Sequence, residues 1–172
     1  MRALALPRRP LSLYLIQRAD SRGDYDCAVV CCESADAARR LNYWTGLPTD
    51  LRAALDAMAD PAAIEVQHLG IAAPRVPRGI VRLACPARLQ LQLQAPHQAL
   101  SIYLVERTDP LDFWEYDHIV VCCESADAAR QSQPEAHGRG WTADLSTLDV
   151  QLLGTAVPRL CRGIICALYV AG

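Results

Sequence analysis

The chain has 172 residues, of which 52% are hydrophobic and 21% charged, with a formal net charge of −2. That length accommodates one large domain or two small ones; the composition excludes disorder throughout, and the near-neutral balance excludes a globally basic nucleic-acid binder. No apolar run approaches the ~18–20 residues of a membrane-spanning helix, and the start, Met1 to Pro10, is broken by Pro7 and Pro10 and makes a poor signal peptide.

In chain order, β-formers alternating around Tyr14 predict a first strand over Leu11–Arg18. The next run, Asp26–Cys32, is apolar at nearly every position, which predicts a strand buried on both faces. Ser34 then stands as an N-cap with Asp36 in the first turn, predicting a short helix over Ala35–Leu41. Thr49 or Asp50 caps a further helix with Leu51, Leu55 and Met58 on one face. Two strands follow, Ile64–Ala72 and Gly79–Ala84, joined by a Pro/Gly turn. Pro86–Ala99 reads as a linker, whose LQLQLQ alternation suits an extended strand.

The series then returns. Strands are predicted over Leu100–Arg107, Asp117–Cys123, Val150–Ala156 and Gly163–Val170, with a helix capped by Ser125 and led by Asp127. Gln131–Trp141, with Pro134, Gly138 and Gly140, reads as a loop where the first copy has its inserted helix. Val29–Arg39 and Val120–Arg130 are the same eleven residues, VVCCESADAAR, and 29 of 45 aligned positions are identical between the copies. The period is too long for a solenoid of short repeats. The expected architecture is α+β: two pseudo-twofold-related ββαββ units, 11–85 and 100–172, joined by 86–99, each a mostly antiparallel sheet with a helix on one face.

Eight cysteines raise the question of metal or disulfide chemistry, but their spacing argues against both. Cys31–Cys32 and Cys122–Cys123 are adjacent on strands and point to opposite faces, and no C-x-x-C occurs. Cys27, Cys85, Cys161 and Cys166 have no cysteine counterpart in the other copy. They read as free, buried thiols in a reducing cytoplasm, with no metal and no cofactor expected. His68, His97, His118 and His137 occupy no repeated position, and no catalytic signature such as G-x-S-x-G, a P-loop or H-E-x-x-H is present.

The polar residues that both copies keep are the candidate ligand site. Arg18 and Asp20 match Arg107 and Asp109; Tyr25 and Asp26 match Tyr116 and Asp117; Trp44 resembles Trp141. The hairpin motif P-R-x-x-R-G occurs twice, supplying Arg75 and Arg78, then Arg159 and Arg162. Guanidinium forks suit phosphate or carboxylate, aromatic rings suit a base, and Asp suits ribose or base donors. The competing structural account is an ion pair of Arg18 and Asp20 with Asp26, and hairpin arginines that only solubilise a turn.

The motifs LYLIQR and IYLVER, YDCAVV and YDHIVV, VQHLGIA and VQLLGTA, and the terminal Ala171-Gly172 resemble a family of small uncharacterised proteins of phages, prophages and actinobacterial genomes. The first unit departs from that pattern at its end, Ala84-Cys85-Pro86. The resemblance implies host-defence antagonism by sequestering a nucleotide immune signal. The expectation is therefore a non-catalytic protein in the bacterial host's cytoplasm that binds a small anionic, nucleotide-like ligand. Neither a membrane nor a nucleic-acid polymer is an expected partner, and a homo-oligomer is compatible with this reading. The alternatives are an inhibitory protein-interaction module acting by strand addition or an apolar groove, and a phosphodiester hydrolase using Arg18, Asp20 and Asp26.

Overall fold

The computed structural model describes residues 10–18, 27–41, 64–84, 99–111, 115–134, 141 and 144–169. Among them are eight strands: β1 (Ser12–Arg18), β2 (Cys27–Cys32), β3 (Ile64–Ala72), β4 (Gly79–Ala84), β5 (Ser101–Arg107), β6 (Tyr116–Cys123), β7 (Leu148–Ala156) and β8 (Gly163–Tyr169). Two short helices, α1 (Ala35–Arg40) and α2 (Ala126–Arg130), follow β2 and β6. The predicted helix around Leu51–Met58 and the LQLQLQ segment lie outside the described residues.

All eight strands belong to one antiparallel sheet in the order β4-β2-β1-β3-β7-β5-β6-β8. The fold is thus α+β, dominated by sheet. One continuous sheet replaces the expected sheet per unit. Its junction is β3 against β7, paired at Gly70–Ala156, Ile71–Thr155 and Ala72–Gly154. Backbone bonds extend the crossing in both directions, from Ala73 N–H to Leu153 O (2.7 Å) and from Val157 N–H to Leu69 O (2.8 Å). Two glycines permit this. A Cβ on Gly70 would lie 1.9 Å from Thr155 O, and one on Gly154 2.0 Å from Ile71 O. Such a crossing is open to residues without a side chain.

Alternation along β2 and β6 divides the core. Cys27, Val29 and Cys31 join Leu13, Leu15, Val120, Cys122, Ile165 and Cys166 in one cluster drawn from both copies. Ala28, Val30 and Cys32 face the other way and pack with Ala38 of α1; Ile119, Val121 and Cys123 do so with Ala129 of α2. Both strands are buried at almost every position, as their continuous apolar runs predict. The outermost strands, β4 and β8, approach with Cα atoms within 8 Å, so the sheet curls back around the shared cluster. Register shifts beside Leu69 and Leu153, both fully buried, are β-bulges that add twist to β3 and β7.

Each helix is nucleated by its cap. The Ser34 hydroxyl accepts from Ala37 N–H at 3.1 Å, and the Ser125 hydroxyl from Ala128 N–H at 3.1 Å. Helices of six and five residues are far below the length that sustains itself in water. Ser34→Ala and Ser125→Ala are each expected to lower stability by about 1 kcal/mol, read as a lower urea midpoint. An unchanged midpoint in both would show that packing of Ala38 and Ala129 suffices without the caps. Among the described residues, no helix is long and apolar enough to cross a membrane.

Candidate functional site

The two P-R-x-x-R-G segments form the connections β3–β4 and β7–β8. Each tightens through a bond across the turn, Val76 N–H to Ala73 O (3.0 Å) and Leu160 N–H to Val157 O (2.9 Å). Each buries one apolar residue, Val76 or Leu160, in the shared core cluster. Each ends on a glycine with positive φ, 123° at Gly79 and 143° at Gly163, a conformation L side chains rarely adopt. Apolar anchor and glycine therefore fix the hairpin, and its arginines are left outside.

The two arginines of a hairpin are not equivalent. Arg78 Nη1 lies 3.0 Å from Glu33 Oε1, and Arg162 Nη1 lies 3.1 Å from Glu124 Oε1. Both guanidiniums remain largely exposed, at 63% each, so these pairs orient the side chains more than they stabilise the fold. Arg75 and Arg159 are exposed and make no ion pair among the described residues. The carboxylates Glu33 and Glu124 were not among the residues singled out from the sequence. Their signal was present in the duplicated V-V-C-C-E-S, where an acid stands in both copies just before the helix cap.

The remaining second-copy candidates are placed elsewhere. Arg107 is almost fully buried, and its guanidinium donates from Nε to Asp109 Oδ1 (2.9 Å), from Nη2 to Asp109 Oδ2 (2.5 Å) and from Nη1 to Glu115 Oε2 (2.8 Å). Those bonds raise the Arg107 pKa, and the same Arg107 bond holds the Asp109 carboxyl below its usual value. In the second copy, Arg107 thus bridges two carboxylates, Asp109 and Glu115, whereas the expected pairing of Arg18 and Asp20 with Asp26 lies outside the described residues. Asp117 lies against buried His118, with Oδ2 3.0 Å from Nδ1.

Tyr116 and Trp141 are buried to 4% and 6% exposure, packed with Val105, Ile119 and Leu148. In this conformation both rings, expected from the sequence to bind ligand, are enclosed in a core cluster. They belong to the same cluster as Ala129 of α2. In the first copy, Arg18 closes β1, its backbone paired with Ile64. Asp20, Tyr25, Asp26 and Trp44 lie outside the described residues.

Six of the seven thiols among the described residues are buried, all but Cys161. Cys31 and Cys122 are pushed up to about 11 and about 12, chiefly by burial, which keeps them protonated near neutrality. Cys32 and Cys123 donate to Ser34 O and Ser125 O at 3.3 Å, tying each strand end to the helix cap. His68 is exposed, its ring 5.2 Å from that of Tyr14 and its Nε2 3.1 Å from Gly70 O. No group of three or more His, Cys, Asp or Glu suited to a metal occurs among the described residues. Comparison of the chain with protein-family models, curated proteins and solved structures finds no match.

Proposed function

We propose that this protein is a non-catalytic binder of small phosphate-bearing anions, with one site at each P-R-x-x-R-G hairpin. The observation that carries the reading is the division of labour within each hairpin. One arginine, Arg78 or Arg162, is oriented by a carboxylate, while Arg75 or Arg159 stands exposed without an ion pair among the described residues. A guanidinium in that state is ready to meet phosphate in a charge-assisted, two-bond contact. The occurrence of the same device in both copies favours two sites on a fused pseudo-dimer with a helix against the outer face of each half. The strand order supports that arrangement, since it reads the same from either end when β1–β4 are matched with β5–β8.

Sequestration of a nucleotide immune signal is the role that the resemblance to phage and prophage proteins implies for such binding. The close approach of β4 to β8 weakens the alternative of strand addition at those edges, because each already faces another strand. The test is a thermal-shift panel of nucleotides, cyclic dinucleotides and pyrophosphate. A native-state ligand raises the melting temperature, and Arg75→Ala with Arg159→Ala is expected to abolish the rise while leaving the melting temperature of the free protein close to wild type. Recovery of the ligand unchanged after denaturation is expected of a binder. Its conversion to product would overturn the non-catalytic reading, and equal ligand shifts in wild type and double variant would remove the hairpins as the site.

A further inference from the structure

Cys27 on β2 and Cys166 on β8 come from different copies, and neither is matched by a cysteine in the other copy. Both are completely buried and belong to the same core cluster. Their thiols are hydrogen-bonded to one another within that core, joining β2, the neighbour of edge strand β4, to the opposite edge strand β8. The approach of β4 to β8 is a seam. Every other neighbouring pair of strands is joined by a backbone ladder, whereas no β4–β8 ladder occurs among the described residues.

We propose that Cys27 and Cys166 form a thiol–disulfide clasp that locks the seam between the two halves when a low-molecular-weight disulfide is present. In the first step one cysteine loses its proton to water and its thiolate attacks a sulfur of oxidised glutathione. A mixed disulfide forms, and one glutathione leaves as a thiolate that takes up a proton. The second cysteine, deprotonated in turn, attacks the protein sulfur of that mixed disulfide and releases the second glutathione. Two protein thiols become one disulfide, and the two electrons they lose reduce one oxidised glutathione to two thiols.

The environment sets the rate. The Cys166 pKa stands well above the ordinary thiol value, raised first by its bond to Cys27 and then by burial. In the closed molecule the thiolate is scarce and shielded, so exchange proceeds through opening of the seam. Formation is therefore expected to be slow in native buffer and faster in urea below the unfolding transition. Once formed, the bond closes a loop spanning most of the chain, which lowers the unfolding equilibrium constant at least about tenfold.

The test is to incubate the reduced full-length protein with oxidised glutathione, with and without sub-denaturing urea, block free thiols and map peptides without reduction. The expected product is an intramolecular disulfide joining the Cys27 and Cys166 peptides, absent in Cys166→Ala and retained in Cys161→Ala, which removes the half-exposed thiol. The wild-type map decides even if Cys166→Ala does not fold. Linkage of any other pair as the main product overturns the proposal, as does a wild type carrying only glutathione adducts.

Discussion

Gly70→Ala and Gly154→Ala are each expected to destabilise the protein by about 3 kcal/mol or more, the largest effect of a methyl added to any glycine among the described residues. The added carbon would sit 1.9 Å from Thr155 O in one case and 2.0 Å from Ile71 O in the other. The obstacle is backbone on the facing strand, so no rotamer change relieves it. Relief requires β3 and β7 to separate, which endangers the three-residue ladder and the flanking bonds at Ala73 and Val157. Because each glycine faces the other copy, the two variants should fall by similar amounts. Urea unfolding of both checks this, and a loss below about 1 kcal/mol in either would mean that the junction is looser than described.

Arg107→Met ranks second, at about 2 kcal/mol or more. The side chain is only 5% exposed, and its removal leaves Asp109 and Glu115 without their shared partner. Both carboxylates keep some solvent, at 24% and 28% exposure, which holds the cost below that of a fully buried pair. The pH dependence follows from Asp109, whose pKa is lowered mainly by its bond to Arg107. A carboxyl depressed in the folded state stabilises it above the unfolded value, about 3.9, and that contribution disappears as pH falls through the lower folded value. Wild type should therefore lose more stability than Arg107→Met between neutral pH and the region below about pH 4. Parallel pH–stability curves for the two proteins would contradict this assignment.

Period and repetition made most of the strands legible. Ile64–Ala72 and Gly79–Ala84 carry alternation bounded by Pro and Gly, and their structural bounds coincide with the expected ones. The adjacent cysteines likewise part to opposite faces, Cys31 into the shared cluster and Cys32 toward α1. What the pattern did not carry was the joining of the copies. Gly70 and Gly154 looked like two members of a repeated motif, and only the crossing of β3 and β7 shows that each accommodates the other copy's backbone.

The candidate site was legible as residue types, but not which of those residues are buried. Repetition singled out Arg107, Tyr116 and Trp141 alongside the hairpin arginines, because a duplicated core residue and a duplicated ligand residue leave the same trace. Burial separates them: the ion cluster of Arg107 and the packed rings serve the fold, while Arg75 and Arg159 remain exposed. The repeated Glu33 and Glu124 passed unnoticed because their partners, Arg78 and Arg162, lie more than thirty residues downstream.

The central claim is that each hairpin holds one phosphate-bearing ligand, and calorimetric titration with pyrophosphate or the best nucleotide of the panel tests it most directly. The hairpins leave the β3–β7 crossing at opposite ends, Ala73 bonded to Leu153 and Val157 to Leu69, so the sites should fill separately. Wild type should take up two ligands per chain, Arg75→Ala or Arg159→Ala one, and the double variant none within the measurable range. Undiminished uptake by the double variant, or no uptake of any phosphate-bearing ligand by wild type, would contradict it.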